Sequence, residues 1–237
     1  MKLWKLLIGT GLLFSALHAE MQIVPKVGLA IGQVSAWGEG GTIPTYEYKE
    51  DSVTILAPRL AIMLNSEDFF LEFQVEGYEY ESDVFGIYEK NGEYEHTQTE
   101  MTFVGGINVY KNIYLLGGYR ANYYGDSYFN NDYADNMGPF IGVSINNLTM
   151  GDDRQDIFSY AIAYQFGEFT NNDMNRSPYF EKDSSIDSLT LNMKFAYRRA
   201  GSNFSYDLKY QLIEGDEDYF NATTVLLGIN YSFIFSN

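Results

Sequence analysis

Ten segments of this chain alternate apolar and polar residues at every second position, and this period constrains the fold more than any other feature. Only β-strands turn successive side chains to opposite faces. The segments run over residues 23–36, 53–64, 69–80, 99–110, 113–123, 137–150, 157–166, 188–198, 203–213 and 223–235. Each has the length of about 9–11 residues, or slightly more, that a tilted strand needs to cross a bilayer.

The connections between these segments alternate strictly between short and long. Short turns are expected at 66–67, 110–112, 153–154 and 200–201, and long connections at 37–52, 81–98, 124–136, 167–187 and 214–222. Short turns at one end and long loops at the other are typical of outer-membrane barrels, whereas a soluble sandwich has no reason for this alternation. The sequence therefore predicts an all-β fold, a closed antiparallel up-and-down transmembrane β-barrel of about ten strands, with eight and twelve as the alternatives.

Turn chemistry predicts how neighbouring strands pair, because opposed residues must share a face. Two-residue turns at 66–67 and 200–201 put apolar residues opposite apolar residues, pairing Leu64 with Phe69 and Tyr197 with Phe204. The same registers set Arg59 opposite Gln74, and Lys194 opposite Asp207, on the inner face. Both hairpins agree with the assigned faces.

Four local irregularities are expected within the strands. Pro58 and Pro139 lack an N–H, so each calls for a bulge or bend in a closed barrel. Asn112 is expected to be left-handed in a three-residue turn that pairs Val109 with Ile113. Residues 90–93 favour a hairpin that extends the third and fourth strands above the membrane, with a bulge at Gly86 to reconcile their faces.

The N-terminus has the pattern of a secretory signal. Lys2 and Lys5 precede an apolar run over residues 6–16, and the pattern ends at Ala19. That run is too short to span a bilayer as a helix. We expect residues 1–19 to be a cleaved signal peptide, and residues 20–237 to form a single barrel domain located in the outer membrane of a Gram-negative bacterium.

The terminal strand carries a further signal. Tyr231, Phe233 and Phe235 alternate along one face near the C-terminus, followed by Ser236 and Asn237. In this respect the chain resembles small bacterial outer-membrane β-barrels, the porin-like group that includes OmpW and OmpX. The resemblance implies that the barrel insertion machinery reads these aromatic residues, and that outer-membrane lipid and lipopolysaccharide surround the barrel. A weaker likeness to MipA/OmpV barrels rests on size and on residues 68–70.

Charge and composition narrow the partners. The formal net charge is −17, so nucleic acid is not an expected partner. The 21 Tyr and 17 Phe fit the aromatic girdles of membrane barrels. The absence of Cys excludes a lipidated N-terminus and disulfide bonds.

The assigned faces turn several charged residues into the lumen. One hypothesis is an anion-leaning constriction, and the favoured alternative is a structural network in which opposite charges pair across a narrow interior. The predicted lumen charge network consists of Lys26, Arg59, Glu72, Glu76, Arg120, Lys194, Arg198, Asp207 and Lys209.

The long connections hold most of the acidity, with 22 acidic against four basic residues when Glu79 is included. Carboxylates are ligands that calcium and magnesium prefer, and such ions would bridge the loops to lipopolysaccharide phosphates. A solvated acidic surface is the favoured alternative, since no spacing matches a defined calcium loop. The candidate cation-binding residues are Asp132, Asp135, Glu214, Asp216, Glu217 and Asp218. We expect no other cofactor or firmly bound metal, and the sequence identifies no extracellular partner.

Catalysis is not expected. His96 is the one histidine after residue 19, and a lone loop histidine is more often incidental. Outer-membrane proteases of the omptin type resemble ten-stranded barrels, but they use an aspartate–histidine pair beside a second acidic pair. The preferred hypothesis is a non-enzymatic structural or surface-binding barrel, the alternative is a narrow passive pore for small solutes, and an outer-membrane hydrolase is remote.

Overall fold

The structure, a computed structural model, describes residues 22–40, 46–49, 53–66, 68–83, 93–126, 131–149, 157–171, 185–199, 202–215 and 221–233. The strands are β1 (Gln22–Gly40), β2 (Tyr46–Lys49), β3 (Val53–Asn65), β4 (Phe69–Asp83), β5 (Glu93–Tyr110), β6 (Ile113–Asp126), β7 (Asn131–Thr149), β8 (Ile157–Asn171), β9 (Ser185–Arg198), β10 (Phe204–Gly215) and β11 (Asn221–Ser232). Within these residues no helix is long and apolar enough to cross a membrane.

The sheet closes on itself. From β3 to β11 each strand pairs antiparallel with the next one in the chain, and β1 pairs with both β3 and β11. The short β2 pairs with the same edge of β1 as β3 does, at Trp37–Gly40, so it continues the β3 wall rather than adding another. Ten strands therefore surround the lumen, and the predicted closed up-and-down barrel is confirmed.

Apolar side chains cover the outside of the barrel. Leu60, Phe166 and Leu227 each expose about 60% of their surface, and similar residues follow every strand from β3 to β11. The inward positions hold mostly small, polar and charged side chains. This is the reverse of a soluble protein and matches a lipid-facing belt around a polar interior. We call the end with the turns at 66–68, 111–112 and 199–203 the inner end, and the opposite end the outer end.

Both predicted two-residue turns are wrong by two residues of register. Leu64 pairs with Leu71 rather than Phe69. The backbone N–H of Ser66 donates to the Phe69 carbonyl at 2.9 Å, and the Ser66 hydroxyl accepts from the Phe69 N–H at 3.2 Å, which closes a four-residue turn. Tyr197 likewise pairs with Tyr206.

A shift of two residues leaves every side chain on its predicted face but changes its neighbours. Arg59 lies opposite Glu76 instead of Gln74. Lys194 lies opposite Lys209 instead of Asp207. The predicted cross-strand pair of Lys194 and Asp207 is therefore wrong.

The turn between β5 and β6 also differs from the prediction. Tyr110 pairs with Ile113, so only two residues form the turn, and a register shift between Asn108 and Tyr110 absorbs the extra residue. Lys111 has a positive φ of 48°. The left-handed position thus falls one residue earlier than the predicted Asn112.

Neither proline produces a bulge. Pro58 pairs with Leu29 and Pro139 with Tyr119 in unbroken registers. Each proline instead interrupts the ladder on its other side, because it has no N–H to donate. Around Pro139 the β7–β8 pairing resumes at Phe140 in the same register.

At Pro58 the ladder does not resume on the far side of the proline. The β3–β4 ladder covers only Arg59–Asn65 of β3. Nevertheless β3 pairs with β1 out to Val53, and β4 pairs with β5 out to Asp83. The predicted β4–β5 ribbon is thus present up to the pair of Asp83 and Glu93. Because Glu93 pairs with Asp83 and not with Lys90, the predicted hairpin at 90–93 is wrong. The proposed bulge at Gly86 lies outside the described residues.

Candidate functional site

Ten charged side chains converge inside the barrel because they occupy the inward positions of their strands. Nine are the predicted lumen residues, and Glu100 of β5 joins them. Glu100 precedes Thr102 and Val104 on the inward face of β5, so the same parity that placed the others was the signal that could have found it. Among the side chains that the structure describes, the lumen thereby holds six cations and four carboxylates, a net charge of +2.

A layer of ion pairs crosses the middle of the lumen. Arg59 donates from Nε to Glu76 and from Nη1 to Asp207 Oδ1 at 2.7 Å. Lys209 donates to Glu76 Oε1 and to Glu100 Oε1, both at 2.9 Å. These contacts tie β3 and β4 to β5 and β10 across the interior. We call these five residues, with Arg120, the charged layer.

The remaining acceptor atoms of the charged layer are also used. Gln211 Nε2 donates to Glu100 Oε2 at 2.9 Å, and Asn230 Nδ2 donates to Asp207 Oδ2 at 2.6 Å. Arg120 Nε lies 3.4 Å from Glu100 Oε1. The side chains of Glu76 and Asp207 are almost fully buried. Buried ion pairs are stable only when their hydrogen bonds are well aligned and every polar atom has a partner. Removing one partner leaves a buried charge without compensation.

On the outer side of the charged layer, the described inward side chains are buried. Along one wall a buried apolar cluster packs together, formed by Ala30, Val34, Ile55, Ala57, Tyr78 and Leu226. The other wall carries a buried polar group, formed by Asn122, Asn136, Gln165 and Thr190, each with 0% exposure. Side chains thus occupy this half of the interior from both sides.

The lumen on the inner side of the charged layer is open. A cavity of about 490 Å³ extends from Arg59, Arg120 and Lys209 towards Asn65 and Ser232 at the inner end. We call it the vestibule. Lys26 pairs there with Glu72. Lys194 and Arg198 also line it, and neither has an ion pair within 4 Å among the described residues.

The candidate cation-binding residues do not form one site. Asp132 and Asp135 lie on β7 and Glu214 on β10, rather than in loops, because these strands extend further than their alternating cores. Asp216, Glu217 and Asp218 lie outside the described residues. Within the described part of the chain, no three His, Cys, Asp or Glu side chains come together as a metal site.

Several exposed acids lie at the outer end. Glu79, Glu168, Asp187 and Glu214 are exposed, and Glu168 lies directly opposite Asp187 between β8 and β9. Like charges in directly opposed positions repel. Sequence reasoning missed this pair because it placed both residues in one long loop.

The other predicted sites are only partly described. Tyr231 packs edge-on against Phe233 and Phe204, with ring centroids 5.0 Å apart in both cases. Phe235 lies outside the described residues, so the insertion signal stays a prediction, as does the signal peptide at 1–19. His96 lies on β5 opposite Asp126, not in a loop.

No family model matches the sequence, and no curated protein does. Among solved structures, the beta domain of the Bordetella autotransporter BrkA superposes with a TM-score of 0.51 at 10% identity, covering 90% of this chain and 100% of that one. The chain has the fold of a bacterial outer-membrane β-barrel. At that identity the similarity concerns the fold alone.

Two further barrels superpose less closely. The translocator domain of the autotransporter NalP from Neisseria meningitidis gives a TM-score of 0.47 at 11% identity, covering 94% of this chain and 93% of that one. An outer-membrane channel from Pseudomonas putida gives 0.47 at 8% identity, covering 90% and 96%. With scores below 0.5, neither adds to the argument.

Proposed function

We propose that this protein is a non-enzymatic barrel of the outer membrane whose lumen is sealed, and which acts through its outer surface as a structural or surface-binding protein. The single observation that carries the proposal is the charged layer, with buried side chains on its outer side. Export by a cleaved signal peptide and insertion through the terminal aromatics belong to the same proposal.

A sealed lumen follows from the energetics of the charged layer. A solute moving along the axis would have to separate Arg59 from Glu76 and Asp207, or Lys209 from Glu76 and Glu100. Separating buried, hydrogen-bonded ions costs several kcal/mol per ion, since each loses its compensating partner. Beyond the layer the solute would meet packed side chains. Ten strands also enclose little more space than the eight whose interior side chains just fill.

Conductance tests the seal. We expect the refolded protein to give no stepwise current in a planar bilayer. The double variant Lys209→Gly/Glu100→Gly should give small current steps, because it removes the bridge between β10 and β5 without changing the net charge.

Lys26→Gly/Glu72→Gly is the matched control for that variant. It removes the same two charge types from the vestibule, which is already open, so it should remain silent. Regular current steps from the unaltered protein would contradict the sealed lumen and favour the passive pore.

The passive pore has one observation in its favour. Atoms of Asn122, Asn136, Gln165 and Thr190 are buried without a hydrogen-bond partner among the described residues. Buried polar atoms of this kind are commonly satisfied by internal water. A file of water along this wall would connect the vestibule to the outer end, and the same conductance measurement decides between the two functions.

The acidic outer end supports the surface-binding part of the proposal. A divalent cation would relieve the repulsion between Glu168 and Asp187 and would bridge them to lipopolysaccharide phosphates. We expect millimolar Mg²⁺ to raise the thermal unfolding midpoint of the protein in lipopolysaccharide-containing vesicles. Glu168→Gln should raise the midpoint without Mg²⁺, by removing a like-charge pair worth about 0.2–1 kcal/mol, and should reduce the response to Mg²⁺.

Glu79→Gln is the matched control for Glu168→Gln. Glu79 is an equally exposed acid, but it lies opposite Thr97 rather than another carboxylate. It should leave the Mg²⁺ response intact. An identical response in all three proteins would mean that the opposed pair does not bind the ion.

A further inference from the structure

We infer that the vestibule is a binding site for a small organic anion with an apolar body, which enters from the inner end and is held by Lys194 and Arg198. This goes beyond the proposed function, which concerns the seal and the outer surface. A sealed barrel would give no current whether or not a ligand occupies the vestibule. Conductance therefore tests the seal and ligand binding tests the vestibule, so either proposal can fail without the other.

The charge of the lumen supplies the first argument. Each of the four carboxylates already has a cation close to it: Glu72 has Lys26, Glu76 and Asp207 have Arg59, and Glu100 has Lys209 and Arg120. Lys194 and Arg198 are left over, and they account for the net charge of +2. The charge of Lys194 acts on Glu72, and on Asp207 more strongly than that of Arg59 does, but Lys194 forms no ion pair within 4 Å with either acid. An added anion would balance the excess.

The neighbours of Lys194 leave its ammonium group accessible. On β8 it lies opposite Ala161, and Ser159 and Ala163 occupy the next inward positions of that strand. These side chains are too short to cover the end of a lysine. Lys194 is accordingly only partly buried and lines the vestibule.

Arg198 is placed to meet a ligand first. It lies on the same face of β9 as Lys194, four residues closer to the inner end, which separates their Cα atoms by about 13 Å. Arg198 thus stands near the mouth of the vestibule and Lys194 stands deeper inside. Because the charged layer closes the far side, a ligand can enter only from the inner end.

The opposite wall of the vestibule carries an apolar patch beside polar side chains such as Glu72, Thr102 and Ser144. Phe70, Tyr114, Leu116 and Phe140 project from β4, β6 and β7. The rings of Phe70 and Tyr114 lie 5.7 Å apart. An inorganic ion would leave this patch in contact with water, whereas an aromatic or aliphatic acid would cover it. The cavity of about 490 Å³ lies in the size range of small-molecule sites, about 300–1,000 Å³.

Binding is tested on the folded protein in a neutral detergent, with 4-(trifluoromethyl)benzoate followed by fluorine NMR. We expect saturable binding to the unaltered protein. Lys194→Gln should weaken it by about tenfold or more, as for loss of a charge-assisted contact. Arg198→Gln should weaken it by about threefold, as for a more exposed charge. Heat-modified migration in gels checks that each variant is folded.

Lys111→Gln is the matched control. Lys111 is an exposed lysine in an inner turn, outside the vestibule, so its removal should not change binding. The neutral 4-(trifluoromethyl)benzamide should bind at least about tenfold more weakly than the acid. The inference is overturned if the benzoate does not bind saturably, if Lys111→Gln weakens binding as much as Lys194→Gln, or if inorganic phosphate competes as well as the benzoate.

Competition identifies the source of the anion. Displacement of the benzoate by dihexanoyl phosphatidate points to a lipid headgroup with its chains on the apolar patch. Displacement by hexanoate and not by the phosphatidate points to a free acid from the inner side. Both results support an anion site in the vestibule.

Discussion

Replacing Arg59 with Met should lower the free energy of unfolding by about 3–5 kcal/mol, the typical cost of leaving a buried charge without its partner. Arg59 is 4% exposed and contacts both Glu76 and Asp207. Lys209 still reaches Glu76 in the variant, so Asp207 bears most of the loss. It keeps a hydrogen bond from Asn230 and the charge of Lys194, but no ion pair within 4 Å among the described residues. Urea unfolding in lipid vesicles, followed by tryptophan fluorescence, measures the change.

Arg198→Met is the matched control for Arg59→Met. It removes the same side chain from the same lumen, but from a position without an ion pair among the described residues, and it should cost less than about 1 kcal/mol. The double variant Arg59→Met/Asp207→Asn should recover part of the loss, since it removes the stranded carboxylate. Equal destabilisation by Arg59→Met and Arg198→Met would mean that the charged layer does not hold the barrel together.

Replacing Gly32 with Ala should destabilise the barrel by about 1–3 kcal/mol, the usual cost of overpacking. Gly32 lies where β1 meets β11, opposite Leu226. A Cβ atom there would meet the Val225 carbonyl oxygen and the Leu226 Cα. Backbone atoms cannot rotate away as a side chain can, so the first and last strands would have to separate. The folded fraction, read from heat-modified migration in gels, should fall.

Gly117→Ala is the control for Gly32→Ala. Gly117 is exposed on β6, and the nearest atom to an added Cβ is 3.9 Å away, an ordinary contact. This variant should fold as the unaltered protein does. If Gly32→Ala also folds normally, the close approach of β1 and β11 is not needed for closure.

Alternation predicted the strands and their faces because it reports a local property, the side of the sheet to which each residue points. It placed Leu60 and Leu227 in the lipid-facing belt and Arg59 and Asp207 in the lumen. Those assignments hold whatever the exact pairing. The closed barrel and the inward placement of the charges were accordingly within reach of the sequence.

Pairing partners were not within reach, because they depend on which residues stand at the centre of each turn. Residues around 66–67 favour a turn, but their types do not fix its centre to within one residue. Moving the centre by one residue leaves the faces unchanged, and only the turn closed by Ser66 and Phe69 brings Arg59 opposite Glu76. The same shift sets Lys194 opposite another lysine and so leaves it without an ion pair. The position of the turn thus determines that Lys194 lines the vestibule without an ion pair.

The ends of the strands were also not predictable from the alternation. Alternation fades where a strand leaves the membrane, since both of its faces then meet water. Asp135 and Glu168 were assigned to loops, although backbone pairing continues through both. Glu100 was also overlooked, although its parity on β5 turns it inward, where Lys209 of β10 contacts it across the lumen.

A closed barrel should have no free strand edge, but Pro58 creates one. Outward from this residue, β3 and β4 run without a common ladder between their described residues, and the buried Tyr78, Ile55 and Ala57 pack behind the break. Backbone amides along the break lose fewer ladder hydrogen bonds on opening than those of a continuously paired seam, so we expect local unfolding to begin there. Ion pairs hold the charged layer together across the lumen, but among the described residues no such contacts hold β3 to β4 beyond Pro58. We therefore expect these two strands to separate from each other at the outer end, towards the lipid, before the charged layer opens along the barrel axis.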